Sequence, residues 1–278
     1  MNFNLNNTLC FGIAGNFAHH LEQAGENADF VNVTTECESA PKGLFPYYIP
    51  GSQTSLGTYP LSHDEIHYPK NLQKDAHLHL EAEVCVLFEA SYIDGQISDL
   101  LPKAFAAFND CSIRKEGAKK ISEKKNWGPS SKGVSKQFLS VSRFEEGGEM
   151  DGFHIASFVK RDGQLHAYGE DSAVLTYNYF YGKLKTWMLK QLNQQRDFGP
   201  LEDLSEIIAN AGFPKQILIS LGATSYTHFG ENEFLQPGDE LAVYVYDATQ
   251  NDLNSIKRHA SGEKIELHNS SVLKQQVL

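Results

Sequence analysis

His77-Leu78-His79-Leu80-Glu81-Ala82-Glu83-Val84-Cys85-Val86-Leu87-Phe88 sets the reading of the whole chain. Odd positions from 77 to 83 carry His, His, Glu and Glu, while even positions from 78 to 88 carry Leu, Leu, Ala, Val, Val and Phe. Alternation of this kind is the signature of a strand with one buried and one solvated face. Residues two apart on a strand point the same way, about 6.7 Å apart along the backbone. Two Glu side chains at that spacing can bend their carboxylates onto one cation. Downstream, Asn109-Asp110-Cys111-Ser112-Ile113-Arg114 offers a third acid, Asp110. Three carboxylates make a hard oxygen site suited to magnesium, manganese or calcium. The bland counterpart is a strand whose polar face simply meets water.

The chain has 278 residues, enough for a sizeable core, and 41% of them are hydrophobic, as in ordinary globular proteins. A net charge of −11 argues against nucleic acid or an anionic membrane as partner. Cysteines at 10, 37, 85 and 111 include no C-x-x-C pair, so free thiols in a reducing, cytoplasmic setting are expected. Neither a signal peptide nor an apolar run long enough to span a membrane is read from the sequence.

Before the central stretch, residues 11–16 read as a short strand ending in a Gly turn, and 17–25 as a short helix stopped by Gly25. His19 and Glu22 share a face of that helix at i, i+3 spacing, which suits either a general base with its orienting carboxylate or a plain surface pair. Residues 40–70 hold five of the ten prolines and read as an irregular covering loop. After it, Asp94-Gly95 signals a hairpin turn. Residues 98–108 carry a Ser/Asp cap and a first-turn Pro, and so predict a helix. Residues 115–125, with five lysines and two glutamates, read as a solvated basic loop that could also attract an anionic ligand. Strands are expected at 138–141, 154–159, 217–221 and 241–246, with a hairpin turn at Arg161-Asp162-Gly163 and helices at about 177–192 and 201–211. One or two further short strands are expected at the C-terminus.

In this order the motifs resemble those of the fumarylacetoacetate hydrolase family. That family pairs Glu-x-Glu on one strand with a later Asp, matched here by Glu81, Glu83 and Asp110, the last 27 positions after Glu83. Asn109-Asp110-Cys111-Ser112-Ile113-Arg114 is similar to its Asn-Asp-x-Ser-x-Arg. Lys132, after Trp127, is similar to its active-site lysine, and Arg161-Asp162-Gly163 to its Asn-Gly turn. Residues 219–224 stand where it has Thr-Gly-Thr. Phe234-Leu235-Gln236-Pro237-Gly238-Asp239 is similar to its Phe-Leu-x-x-Gly-Asp, and Gly15-Asn16-Phe17-Ala18-His19-His20 to its Gly-x-Asn-Tyr-x-x-His. There are also departures. The position three after His20 is Gln23 instead of Glu, the loop lysine is Ile49, the second Thr of Thr-Gly-Thr is Ala223, and the acid after Arg114 is Lys115.

The resemblance implies an α+β, β-rich fold: a mixed β-sheet roll of the fumarylacetoacetase C-terminal-domain type with a few packed helices. It implies one domain over 1–278, with lid and covering loop in 1–70 and a metal-binding core in 71–278, assembled as a homodimer. Glu81, Glu83 and Asp110 would hold Mg²⁺ or Mn²⁺, with Ca²⁺ also suited. The substrate would be a small anionic 2-oxo acid or 1,3-dicarbonyl, cleaved at a C–C bond, decarboxylated or isomerised through a metal-stabilised enolate. His20 or His19 would act as base with Glu22 as orienter, Lys132 would offset substrate charge, and Arg114 and Thr224 would bind substrate. Three acids alone carry about −3, so the site without its ion is expected to repel an anionic substrate. Two alternatives remain: a non-catalytic binding or regulatory protein on the same fold, suggested by the altered lid, and a cupin, suggested by His77-x-His79-x-x-x-Glu83.

Overall fold

A computed structural model of the chain describes residues 4–17, 20–70, 72, 76–115 and 117–278, and of Asn27 the backbone alone. Among these residues the fold is α+β and β-rich, with two mixed sheets, as expected. The larger sheet runs in the order Gly43–Tyr48, Leu9–Ala14, Gln216–Ser220, Ala82–Ile93, Gln96–Asn109, Lys132–Val134, Leu61–Ser62, with Leu139–Ser140 also paired to Gln96–Asn109. The smaller is Gln164–Ala173, Phe153–Arg161, Glu240–Asp247, Ser270–Val277, Glu65–Ile66. His77–His79 and Ser112–Arg114 form a separate two-stranded ribbon.

The sheets face each other across a core in which Phe105 meets Phe153 edge to face, ring centroids 4.9 Å apart. Polar side chains also tie the sheets. Gln275 accepts from Asn109 Nδ2 at 3.0 Å and donates to Glu65 O at 2.9 Å. Helix Tyr181–Gln194 buries Tyr181, Leu184, Trp187, Met188 and Leu192, the stripe read from the sequence.

The helix expected over 98–108 is instead the strand Gln96–Asn109, the partner of Ala82–Ile93. Asp94 and Gly95 both have positive φ, 51° and 77°, which makes the tight turn between them. Leu100 and Pro102 are buried between exposed Leu101 and Lys103, and beyond the bulge both faces are covered, Phe105 and Ala107 in one apolar cluster and Ala106 and Phe108 in the other, a period of two that outweighs the helix-cap composition. Pro102 is tolerated because the register shifts there: Phe88 pairs with Pro102 and Leu87 with Ala104, leaving Lys103 as the extra residue of a bulge.

Two other expectations are corrected, and the C-terminal region holds a helix besides the strand expected there. Part of the Pro-rich covering loop is the edge strand Gly43–Tyr48, where Pro46 costs little because one strand side has no neighbour. The C-terminal region contains helix Leu253–Ser261, capped by Asp252 at its start and stopped at Gly262, φ 107°, before the final strand. The polar face of the opening stretch is not solvated. The stretch is not one strand: His77–His79 belongs to the ribbon, and Leu80 and Glu81 lie between strands. Ala82–Ile93 runs inside the larger sheet, with Val84, Val86 and Phe88 in one apolar cluster and Cys85 and Leu87 in another, so both of its faces are covered. No helix among the described residues is long and apolar enough to cross a membrane.

Candidate functional site

The hairpin sets the distance between the acids. Ala82 pairs with Asn109 and Glu83 with Phe108, so the chain leaves Glu83, turns at 94–95, and returns with Asp110 beside Glu81. Asp110 N–H donates to Glu81 O at 2.9 Å, and Glu81 N–H donates to Asn109 Oδ1 at 3.3 Å. Glu81, Glu83 and Asp110 each present an oxygen within 4.8 Å of the others, and all three are buried. Among the described residues this is the group of potential ligands that could share one ion; His77 and His79 are not part of it. The cupin arrangement is therefore not formed. His77 stacks on Phe234 at 3.9 Å, and His79 Nδ1 receives Arg114 Nε at 3.1 Å.

The acids are not left as bare negative charge. Lys125 Nζ lies 2.7 Å from Glu81 Oε2, 2.6 Å from Asp110 Oδ2 and 2.5 Å from Ser112 Oγ. Lys132 donates to Cys111 O and stands 3.2 Å from Asp110 Oδ1, a contact without full hydrogen-bond geometry. Arg114 reaches Glu81 Oε1 at 2.6 Å, Glu26 Oε1 at 2.7 Å and the Tyr226 hydroxyl at 3.0 Å. Lys124 pairs with Glu26 at 2.8 Å and Asp29 at 2.7 Å. Three buried acids, Glu26, Glu81 and Asp110, are thus paired with Arg114, Lys124, Lys125 and Lys132, while Glu83 has no ion pair among the described residues. The expectation of an uncompensated −3 charge is corrected accordingly.

Burial works to raise the Glu81 carboxyl, but Lys125 and Arg114 together hold it well below the usual carboxylate range. Burial likewise opposes Glu26, which Arg114 and Lys124 bring down to about 2. Glu83 goes the other way: burial, then the charges of Asp110 and Glu81, push it well up. Burial also raises Asp110, against Lys125 and Lys132. Lys125 is raised because Asp110 and Glu81 outweigh its burial, whereas burial leaves Lys132 lowered.

Glu83 Oε2 receives the backbone N–H of Gly222 at 2.9 Å. Gly222 has φ 112°, and its carbonyl receives the Tyr177 hydroxyl at 2.7 Å. One turn of helix, His20–Gln23, brings His20 over this loop. His20 is buried, and its Nδ1 lies 2.9 Å from Thr224 O, so Nδ1 carries the proton and Nε2 keeps its lone pair. Burial lowers its pKa. His19 lies outside the described residues. Glu22 is exposed, and the partner at His20 Nδ1 is the Thr224 carbonyl. Gln23 clamps Tyr226, donating to its carbonyl at 3.1 Å and accepting its N–H at 2.8 Å.

A cavity of about 20 Å³ adjoins the acids, enough for one ion or water. His20, Glu26, Glu81, Glu83, Asp110 and Lys125 are on its wall; Arg114, Lys132 and Thr224 are not. A cavity of about 600 Å³, lined by Tyr68, Trp127 and Lys115 among others, contains none of the acids. The chemistry, not the volume, marks the first as the candidate site. Glu26 and Lys125 were missed from the sequence. The one available signal for Lys125 was a lysine run leading into Asn126-Trp127 in an otherwise acidic chain.

The chain matches the family model described as "Family of unknown function (DUF5718)" over residues 26–277. It belongs to that family. A search of curated proteins by sequence finds no match. Among solved structures, Cg1458 with inhibitor aligns at TM-score 0.58 and 13% identity, over 98% of this chain and 77% of that one. 2-Keto-3-deoxy-D-arabinonate dehydratase complexed with magnesium and 2,5-dioxopentanoate aligns at 0.53 and 11%, over 97% and 72%. A "putative fumarylacetoacetate isomerase/hydrolase" from Oleispira antarctica aligns at 0.51 and 14%, over 98% and 93%. At these identities the likeness is one of fold, and the fold is the fumarylacetoacetate hydrolase type expected from the motifs.

Proposed function

We propose that the chain is a divalent-metal-dependent enzyme that cleaves, decarboxylates or isomerises a small 2-oxo acid or 1,3-dicarbonyl compound. Glu81, Glu83 and Asp110 would hold Mg²⁺ or Mn²⁺. The supporting observation is their convergence, Glu83 from strand Ala82–Ile93, Glu81 from just before it and Asp110 from just after its partner strand Gln96–Asn109, beside a cavity of ion size. The donor set fits a hard cation, and Asp110 Oδ1 is buried without a hydrogen-bond partner. The magnesium complex of one structure with the same fold is in keeping with this reading. The ion, when bound, would act as a Lewis acid on two chelating oxygens and stabilise the negative charge that develops as the C–C bond breaks.

The chain's own groups supply the remaining chemistry. His20 Nε2, held in the base-competent tautomer by Thr224 O, would take a proton from the attacking water. The water oxygen would bond to the ketone carbon, and the electron pair of the broken bond would pass to the 2-oxo fragment, which then takes up a proton. Lys132 and Arg114 lie behind Asp110 and Glu81, where they would position the carboxylates. Thr224, whose side chain is off the cavity wall, would act through its carbonyl. A homodimer in the cytoplasm is part of the same proposal, on the resemblance and the four free thiols.

Calorimetric titration of Mn²⁺ into wild type and Glu83→Ala tests the metal site. Binding should vanish in the variant; equal binding in both would overturn the site. The pairing of Glu81 and Asp110 with Arg114, Lys125 and Lys132 favours one rival, a non-catalytic member of the fold. Turnover of a panel of acylpyruvates and oxaloacetate with Mg²⁺ or Mn²⁺ separates the two.

A further inference from the structure

Taking the metal site above as given, we propose that Lys125 is a built-in rival of the metal. Its ammonium group occupies the ligand oxygens, and a divalent ion binds only by displacing it. An ammonium group has three N–H donors. Lys125 directs all three at Glu81 Oε2, Asp110 Oδ2 and Ser112 Oγ, at 2.7, 2.6 and 2.5 Å, from a side chain only 4% exposed. Two of the three metal ligands are therefore engaged by a single cation.

The other cations of the cluster stand elsewhere. Arg114 takes the opposite oxygen of Glu81, Oε1, and Lys132 lies on the opposite oxygen of Asp110, Oδ1. Neither bridges two of the three proposed metal ligands; Lys125 does. It is also the one of these three cations on the wall of the ion-sized cavity. Oxygen–metal distances of about 2.0–2.6 Å would bring a doubly charged ion into the space that Nζ now shares with the same carboxylates. Like charges in a buried site repel strongly, so the two cations exclude each other. Metal affinity is then set by an exchange of one cation for another, and wild type is a weaker metal binder than its three acids alone would make it.

The test uses the full chain, stripped with EDTA and titrated with Mn²⁺ by calorimetry and by the manganese EPR signal. Lys125→Met should bind Mn²⁺ roughly tenfold or more tightly than wild type. Its thermal midpoint without metal should fall, because two carboxylates each lose one of their two counter-ions, and Mn²⁺ should raise it by more than it raises wild type. Ser112→Ala removes one of the three ammonium contacts without stripping a charge, so it should tighten binding by a smaller factor. It carries the test if Lys125→Met does not fold. Binding seen in Lys125→Met but not in wild type supports the proposal in its strongest form. Equal or weaker Mn²⁺ binding in both Lys125→Met and Ser112→Ala, with Glu83→Ala still abolishing it, overturns the rivalry and leaves the metal site standing. Absence of Mn²⁺ binding from wild type and both variants overturns site and rivalry together.

Discussion

Gly222 and Glu83 meet through one hydrogen bond, backbone N–H to Oε2, at 2.9 Å. Neither Lys125 nor Lys132 forms an ion pair with Glu83, so this donor is what aims the carboxylate toward Glu81 and Asp110. The N–H points that way because Gly222 adopts φ 112°, a conformation that an L side chain rarely takes.

Gly222→Ala should therefore damage both fold and site. An added Cβ would stand 3.2 Å from Asn16 Cβ and the backbone would be strained. The expected cost is about 1–3 kcal/mol in urea unfolding. Mn²⁺ affinity should fall with it, as Glu83 loses its donor. An unchanged denaturation midpoint would show that the loop tolerates the side chain.

His20→Asn should lower kcat by roughly 10²–10⁴ while leaving Mn²⁺ binding in place, because the histidine faces the cavity without ligating. Burial lowers the imidazole pKa, so the base form survives to more acidic pH than in a free histidine. The acid limb of kcat/KM for wild type should accordingly lie below the usual imidazole value of 6.5. A limb above that value would point to a different base.

Glu202 offers a stability test away from the metal ligands. Its carboxylate oxygens are buried without a hydrogen-bond partner of full geometry, and burial raises it to about 7, against partial relief from Ser122 and Lys120. An acid raised in the folded state binds more protons folded than unfolded. Stability should then fall as pH rises from about 4.5 to about 7, and level off above. Glu202→Gln should be more stable than wild type at alkaline pH by up to about 3 kcal/mol, and the gain should disappear at acid pH. Parallel pH dependence of the two proteins in urea melts would refute the assignment.

Much of the fold was legible because local signals and tertiary context agree. The stripe of helix Tyr181–Gln194, the Asp94-Gly95 turn and the apolar runs at Gln216–Ser220 and Glu240–Asp247 all appear close to where periodicity and turn chemistry put them. The failures have a common cause in long-range pairing. Pro102 reads as a helix start until Phe88 and Leu87 are seen to leave a bulge for it. His79, Glu81 and Glu83 read as the wet face of one strand, whereas the fold splits that stretch in two and buries all three. The three acids could be named from spacing because a hairpin converts 27 positions into adjacency. Lys125 could not, since the lysine run before Asn126-Trp127 does not tell it apart from exposed Lys119, and only the fold buries it against residues 81, 110 and 112.

The cavity beside the acids is narrow, with room for about one ion or water at its centre. Phe17, His20, Leu21 and Glu26 form part of its wall, and Glu26 is fastened by Arg114 and Lys124. On the proposed function, an organic guest would reach the acids only when Phe17, His20, Leu21 and Glu26 draw back. Its arrival is then timed by the protein and not by collision, so in stopped-flow mixing the observed rate for oxalate should reach a plateau as concentration rises. A rate that climbs in strict proportion would mean that the doorway already stands open.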